Sequence, residues 1–322
     1  MKKLIDVLRK VLNPFLKKLI KPLIRTYGIR SLLRNILKPF ILSMQGNRGK
    51  LKRNISSLNF DQLSFYGVTF QKSIIKHSPF PNNIEDEINN IIDLYKTHEE
   101  VLNYKNGNPF KNGEVLKKSF YFIRGKEGIH FNKGNSNLQK KYDGIDVGLI
   151  DIYNPQIPLS NDHWISKIID EGKNIISKNI DFESHNIRFT HSNLYIYKNV
   201  FKPRCLHVDS YKKQFKCFIP LTISNSKERG CYAFVPFSHR LPLNGLQIFG
   251  RLLNFLISNS DIGYIPSGDG NLFHLDTALP LLVEPRDLII TCQKGIHGDI
   301  PSKNPIDRYV LVLNYLEGEW NF

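Results

Sequence analysis

His207-Val208-Asp209 sets an imidazole and a carboxylate two residues apart, and on a β-strand that spacing puts both on one face. A third ligand, His297, completes a two-histidine, one-carboxylate set, the arrangement that leaves open positions on non-haem Fe(II). The chemistry needs those positions. A 2-oxo acid chelates through two oxygens, and dioxygen takes the remaining place. Eleven residues after His297, Arg308 opens an apolar strand, where a buried guanidinium would hold the far carboxylate of such a co-substrate through two hydrogen bonds. A second HxD, His274-Leu275-Asp276, ends 21 residues before His297 and leaves little room for intervening strands. Asp209 lies 88 residues before His297, enough for several strands and an insertion, so His207, Asp209 and His297 are the candidate ligands.

The elements that must position these residues are strands. From about residue 186, Asn193, Tyr195 and Tyr197 alternate with Leu194 and Ile196, a period of two. Phe215–Ile223, Tyr232–Val235, Leu288–Thr291 and Arg308–Tyr315 follow, separated by Asn, Ser, Gly and Pro. That texture predicts a sandwich or barrel. Residues 246–257 read as a helix inserted in this β region. Earlier, Asn83 followed by Ile84, Ile88, Ile91 and Tyr95 predicts a capped amphipathic helix. Another is expected from near Ser160, with Trp164, Ile165, Ile168 and Ile175 on one side.

Composition bounds what surrounds this core. At 322 residues, 41% apolar and 23% charged, the chain is ordinary globular material, which excludes wholesale disorder. The net charge of +16 is unevenly placed: residues 1–54 hold 15 Lys/Arg and one acid, while residues 55–322 hold 30 basic and 28 acidic groups. The basic segment is amphipathic, with Ile29, Leu32, Leu33, Ile36 and Leu37 opposite Arg30, Arg34 and Lys38, and is broken by Pro14, Pro22 and Pro39. Two partners fit it: an anionic membrane surface, or the protein's own body. Nucleic acid is not expected, because aromatics for base stacking are scarce there. Residues 43–58 read as a linker. No apolar run approaches a membrane span, and Lys or Arg interrupts the N-terminus too often for a secretory leader. Cys205, Cys217, Cys231 and Cys292, far apart and without a CxxC pair, read as core thiols of a reducing compartment. The expected location is cytoplasmic, with peripheral membrane contact through residues 1–54 as one option.

Four segments together resemble the phytanoyl-CoA dioxygenase family. Arg204-Cys205-Leu206-His207-Val208-Asp209 looks like its first metal motif. Gly230-Cys231-Tyr232-Ala233-Phe234-Val235-Pro236-Phe237-Ser238-His239-Arg240 resembles its G-x-x-x-x-x-P-G-S-H segment. Pro285-Arg286-Asp287-Leu288-Ile289-Ile290, then His297-Gly298 and Arg308, resemble its closing strand, distal histidine and co-substrate arginine. The resemblance covers roughly residues 186–318. It implies a mainly β fold with helices, a double-stranded β-helix (jelly roll, cupin-like), and Fe(II), 2-oxoglutarate and O2 acting together to hydroxylate an unactivated carbon. His207, Asp209 and His297 would then bind iron and Arg308 would anchor 2-oxoglutarate. Asn193, Tyr195 and Tyr197 share one strand face just upstream and would line the pocket, with Tyr195 and Asn193 as candidate 2-oxoglutarate contacts. Phe237 and Arg286 stand where glycines are usual. Asp299 stands where a small hydroxyl residue is usual, and an acid there repels the co-substrate carboxylate unless Arg308 or Lys294 compensates.

The expected organisation is a basic arm at 1–54 and one dioxygenase domain at 59–322, helices first and jelly roll after. The expected substrate is a small-molecule or lipid-like compound. Two other classes stay open: a cupin-like metal isomerase or hydrolase without 2-oxoglutarate, and a non-catalytic membrane- or polyanion-binding protein.

Overall fold

The computed structural model describes residues 58–96, 128–131, 149–156, 159–200, 203, 206, 209, 213–224, 230–240, 278–300, 304 and 306–318. The arm, the helix expected at 246–257, Cys205, His207 and the His274/Asp276 pair lie outside them. Three α-helices are described: α1 (Leu63–Tyr66), α2 (Ile84–Lys96) and α3 (Trp164–Asn179). Ten strands accompany them: β1 (Val68–Gln71), β2 (Gly128–Phe131), β3 (Leu149–Tyr153), β4 (Ile187–Val200), β5 (Gln214–Pro220), β6 (Tyr232–Phe234), β7 (Leu279–Leu281), β8 (Leu288–Cys292), β9 (His297–Asp299) and β10 (Ile306–Glu317).

α2 starts at its expected cap. The Asn83 side chain accepts from the Asp86 amide at 3.3 Å, and Glu85, Asp86 and Glu87 sit at the positive end of the helix. α3 begins at Trp164 rather than near Ser160, because His163 caps it: its Nδ1 accepts the Ile165 amide at 3.2 Å. Its buried face is Trp164, Ile165, Ile168, Ile169, Gly172 and Ile176, and Ile175 falls to the edge of that face.

The strands form two antiparallel sheets, a large one in the order β1-β8-β5-β10-β4-β3-β2 and a small one in the order β7-β6-β9. From β4 onward the chain visits large, large, small, small, large, small, large, a winding between two sheets in the manner of a jelly roll. The large sheet also recruits strands from before residue 186: β1 extends one edge, and β3 and β2 the other. Strand structure therefore starts earlier than the change of texture at 186.

Alternation gives the large sheet two unlike faces. Leu194 and Ile196, Phe215, Cys217 and Ile219, Leu288 and Ile290, and Tyr309, Leu311 and Leu313 pack with α2 and α3 in the main hydrophobic core. The opposite face meets the small sheet. There Val68, Phe70 and Ile289 pack on Phe234, Leu279 and Leu281. Beside this second core, the same face carries Asn193, Lys216, Thr291, Arg308 and Asn314.

Candidate functional site

The short β9 brings His297 and Asp299 to one face of the small sheet, two residues apart. Its position is set from three sides. Gly295 closes the turn after β8, its amide donating to the Cys292 carbonyl at 2.9 Å. The Ser238 hydroxyl accepts the Ile296 amide at 2.7 Å, and the Val235 amide donates to the Ile296 carbonyl at 2.8 Å. Pro236-Phe237-Ser238 is thus a clamp on the histidine-bearing strand. Phe237 makes that turn at φ 67, in the left-handed region, with its ring against Phe65 and Tyr66. His239 and Arg240 serve the same turn: each bonds the Ser64 carbonyl, at 3.1 and 3.2 Å.

His297 is 2% exposed, and its Nδ1 pairs with the Gly295 carbonyl at 2.9 Å. A carbonyl only accepts, so Nδ1 carries the hydrogen and Nε2 faces the other way. Nε2 looks toward Asp209, whose Oδ2 is 3.6 Å off. The Asp209 backbone is tied by its amide to the Gln293 carbonyl at 3.3 Å, and Lys216 Nζ donates to the same Oδ2 at 2.6 Å. Tyr232, adjacent to His297 across the strands, donates or accepts with Thr291 Oγ1 at 3.1 Å. Burial pushes the Tyr232 phenol up, so it stays protonated at all ordinary pH. Gln293 Nε2 reaches the same Thr291 hydroxyl at 2.7 Å.

Arg308 lies on β10, on the inter-sheet face, with its guanidinium 4.2 Å above the Tyr197 ring. Its Nη2 donates to Asp299 Oδ2 at 2.9 Å, and its Nη1 to the Gly230 carbonyl at 3.3 Å. Gly230 offers that carbonyl from a left-handed turn at φ 68, where a Cβ would run into Ile306. Burial works against the Arg308 charge, and the neighbouring Asp299 and Tyr197 more than offset it, so the group stays cationic.

The structure therefore brings Asp209 to His297 and Arg308 to Asp299. The compensating cation for Asp299 is Arg308, not Lys294. Asn193 is committed elsewhere: its Nδ2 donates to the Asp151 carboxylate at 2.8 Å, and its Oδ1 accepts from Asn314 at 2.7 Å. Tyr195 is half-buried with Tyr197, Val200 and Ile306, and it is the Tyr197 ring that lies under Arg308. Among the described residues, no group of three His, Cys, Asp or Glu gathers as a metal site. Asp209 and His297 are a pair, and His207, the third expected ligand, lies outside the described residues. Cys217, Cys231 and Cys292 are buried and outside any disulfide, and burial pushes the Cys217 and Cys292 thiols up, away from reactivity.

Sequence reading missed Lys216, Thr291 and Gln293. The signal for Lys216 was present in the alternation of β5, where Phe215, Cys217 and Ile219 enter the main core and Lys216 and Phe218 turn to the other face.

No protein-family model matches the chain, and no curated protein matches it in sequence. Among solved structures it is similar to SnoN, a non-heme alpha ketoglutarate dependent epimerase from nogalamycin biosynthesis. That likeness has 11% identity and a TM-score of 0.43 over 84% of this chain and 82% of that one. It is similar to EvdO2 of Micromonospora carbonacea var. aurantiaca, complexed with 2-oxoglutarate, at 15% identity and TM-score 0.42 over 82% and 91%. HygX of Streptomyces hygroscopicus, with nickel and 2-oxoglutarate bound, gives 10% identity and TM-score 0.40 over 82% and 87%. Likenesses this shallow decide neither ligand nor reaction for this chain. Among the described residues no helix is long and apolar enough to cross a membrane.

Proposed function

We propose that this chain is an Fe(II)- and 2-oxoglutarate-dependent dioxygenase of the phytanoyl-CoA dioxygenase kind, built on a double-stranded β-helix. It hydroxylates an aliphatic carbon of a small-molecule or lipid-like substrate. One observation carries the reading. His297 donates its Nδ1 hydrogen to the Gly295 carbonyl, which turns Nε2 toward the Asp209 carboxylate at 3.6 Å. An imidazole nitrogen and a carboxylate oxygen converging at that separation suit a metal ion shared between them. A histidine whose other nitrogen is fixed by a carbonyl is the usual form of a metal ligand. Nitrogen and carboxylate donors fit Fe(II), with His207 as the third ligand.

Fe(II) with 2-oxoglutarate and O2 supplies oxidative decarboxylation, consuming R–H, 2-oxoglutarate and O2 and giving R–OH, succinate and CO2. The chain's own residues orient the parts. Lys216 holds Asp209 through Oδ2, the same oxygen that faces His297, and so fixes the carboxylate beside the ring. Gly295 fixes the His297 ring, and Arg308 takes the far end of the co-substrate. The residues at 1–54 are read as lying on an anionic membrane surface; co-sedimentation with anionic vesicles, lost on their deletion, checks this.

The Arg308–Asp299 pair favours a second reading, a cupin-like isomerase or hydrolase that uses the metal without 2-oxoglutarate. Succinate formation separates them. The dioxygenase reading expects Fe(II)-dependent release of succinate from 2-oxoglutarate under air, abolished by His207→Ala and by His297→Ala. Metal binding with no succinate under any condition favours the second reading.

A further inference from the structure

The Arg308–Asp299 pair is charge-neutral, sealed from solvent and unfinished. Asp299 is 4% exposed and Arg308 5%. Asp299 Oδ2 accepts from Nη2, yet among the described residues the buried Oδ1 has no partner, and neither has the buried Nε of Arg308. Buried polar atoms of this kind are rare, because each forfeits its hydration without recovering a hydrogen bond. The pair thus leaves one acceptor, Oδ1, and one donor, Nε–H, with Asp299 two residues from His297 on the same side of β9.

A ligand that enters beside the guanidinium would have both atoms to satisfy. The far carboxylate of 2-oxoglutarate satisfies Nε–H but sets a second negative charge beside Asp299, where a single guanidinium must serve two carboxylates in a buried place. A carboxamide satisfies both atoms at no cost in charge: its carbonyl accepts from Nε–H and its N–H donates to Oδ1. We propose that Asp299 is the specificity-determining residue of the co-substrate pocket, making it favour 2-oxo acids with an uncharged, hydrogen-bond-donating far end over the dianion 2-oxoglutarate. This rests on the 2-oxo acid reading above and narrows it. The preferred co-substrate class is a 2-oxo acid ending in an amide or a similar donor–acceptor group, and 2-oxoglutarate is a weak ligand of the same site.

N-oxalylglycine, a 2-oxoglutarate analogue with NH in place of one methylene, and its glycinamide counterpart differ only in that far end. Both are titrated calorimetrically into the full chain loaded with Mn(II). The wild type is expected to bind the amide at least tenfold more tightly than the acid, and Asp299→Ser to reverse the order, the acid gaining at least tenfold. Asp299→Asn, which keeps the shape, is expected to shift the preference in the same direction. Tighter binding of the acid by the wild type overturns the proposal while leaving the 2-oxo acid reading standing, and this arm needs no variant to fold. Equal changes for both ligands in Asp299→Ser also overturn it, making the pair structural. Binding of neither ligand by any form defeats the 2-oxo acid reading and the proposal with it.

Discussion

Consecutive residues of β10 face two different worlds. Tyr309, Leu311 and Leu313 enter a core shared with α2 and α3, while Arg308 and Asn314 on the alternate face find polar partners on β9 and β4. Both faces are buried. On the first, burial is the source of stability, since removal of apolar area from water is favourable in proportion to its size. On the second, burial is a cost, offset only where each polar atom finds a partner. The difference teaches that one face holds the sheet together while the other gives up some of that stability to keep polar groups inside. Mutations on the two faces must therefore separate stability from ligand affinity.

The largest separation is expected at His297. His297→Ala should weaken Fe(II) binding on the order of 100-fold or more, since the proposed reading makes it a ligand and even outer partners matter about 10–100-fold. Its thermal midpoint without metal should stay near that of the wild type. Calorimetric metal titration and a melting curve check the two halves. Leu311→Ala is the mirror experiment. Leu311 is fully buried in the main core, and its truncation should cost about 2–5 kcal/mol in urea unfolding while the folded fraction binds metal as before. Weak metal binding by folded Leu311→Ala would show that the faces are not separable.

A smaller effect tests how the helical layer is fastened. Glu171 on α3 accepts from the amides of Lys76, His77 and Ser78 and from the Ser78 hydroxyl, at 2.7 to 3.0 Å. Burial pushes its carboxyl up, and these four donors outweigh burial, holding it below the ordinary value of 4.5. A carboxyl lowered in the folded state contributes stability that is present above the unfolded value and is lost as pH falls through the folded one. Glu171→Gln should cost about 1 kcal/mol at neutral pH and flatten the decline of stability below pH 4.5, as read by unfolding at several pH values. The smallest effect is expected outside both faces. Arg286 precedes β8 at φ 77, with its guanidinium on the Ile75 and Lys76 carbonyls and over Phe80. Arg286→Gly relieves the left-handed backbone and loses those exposed contacts, so unfolding should move by no more than about 1 kcal/mol.

The two faces were legible in part. Alternation at 193–197 showed a strand and which of its residues share a face, because a half-buried strand must alternate, while β8 and β10 were readable as apolar runs between turn residues. β1, β7 and β9 were not legible, being three or four residues long, too short for a period to show. Phe237 and Arg286 were recognised as standing where glycine is usual, and the backbone keeps the left-handed turn at both without it. That an acid at Asp299 would trouble a carboxylate was readable through the family resemblance, which places a small hydroxyl residue at that position. That Arg308 rather than Lys294 is its partner was not, since Arg308 and Asp299 come from different sheets and meet only through the winding between them. Asn193 was placed on the right face, but its engagement by Asp151 depends on the register of β3 against β4, which the sequence of either strand alone does not specify.

The central claim is that Asp209 and His297, with His207, hold a metal that a 2-oxo acid chelates. It is tested most directly by adding Fe(II) and then 2-oxoglutarate to the full chain without oxygen and following the visible spectrum. The account predicts a charge-transfer band of the chelate that appears only when both are present, saturates at one metal per chain, needs a high concentration of 2-oxoglutarate, and vanishes in His297→Ala. Fe(II) bound with no such band at any concentration of 2-oxoglutarate, or a band undiminished in His297→Ala, would contradict it.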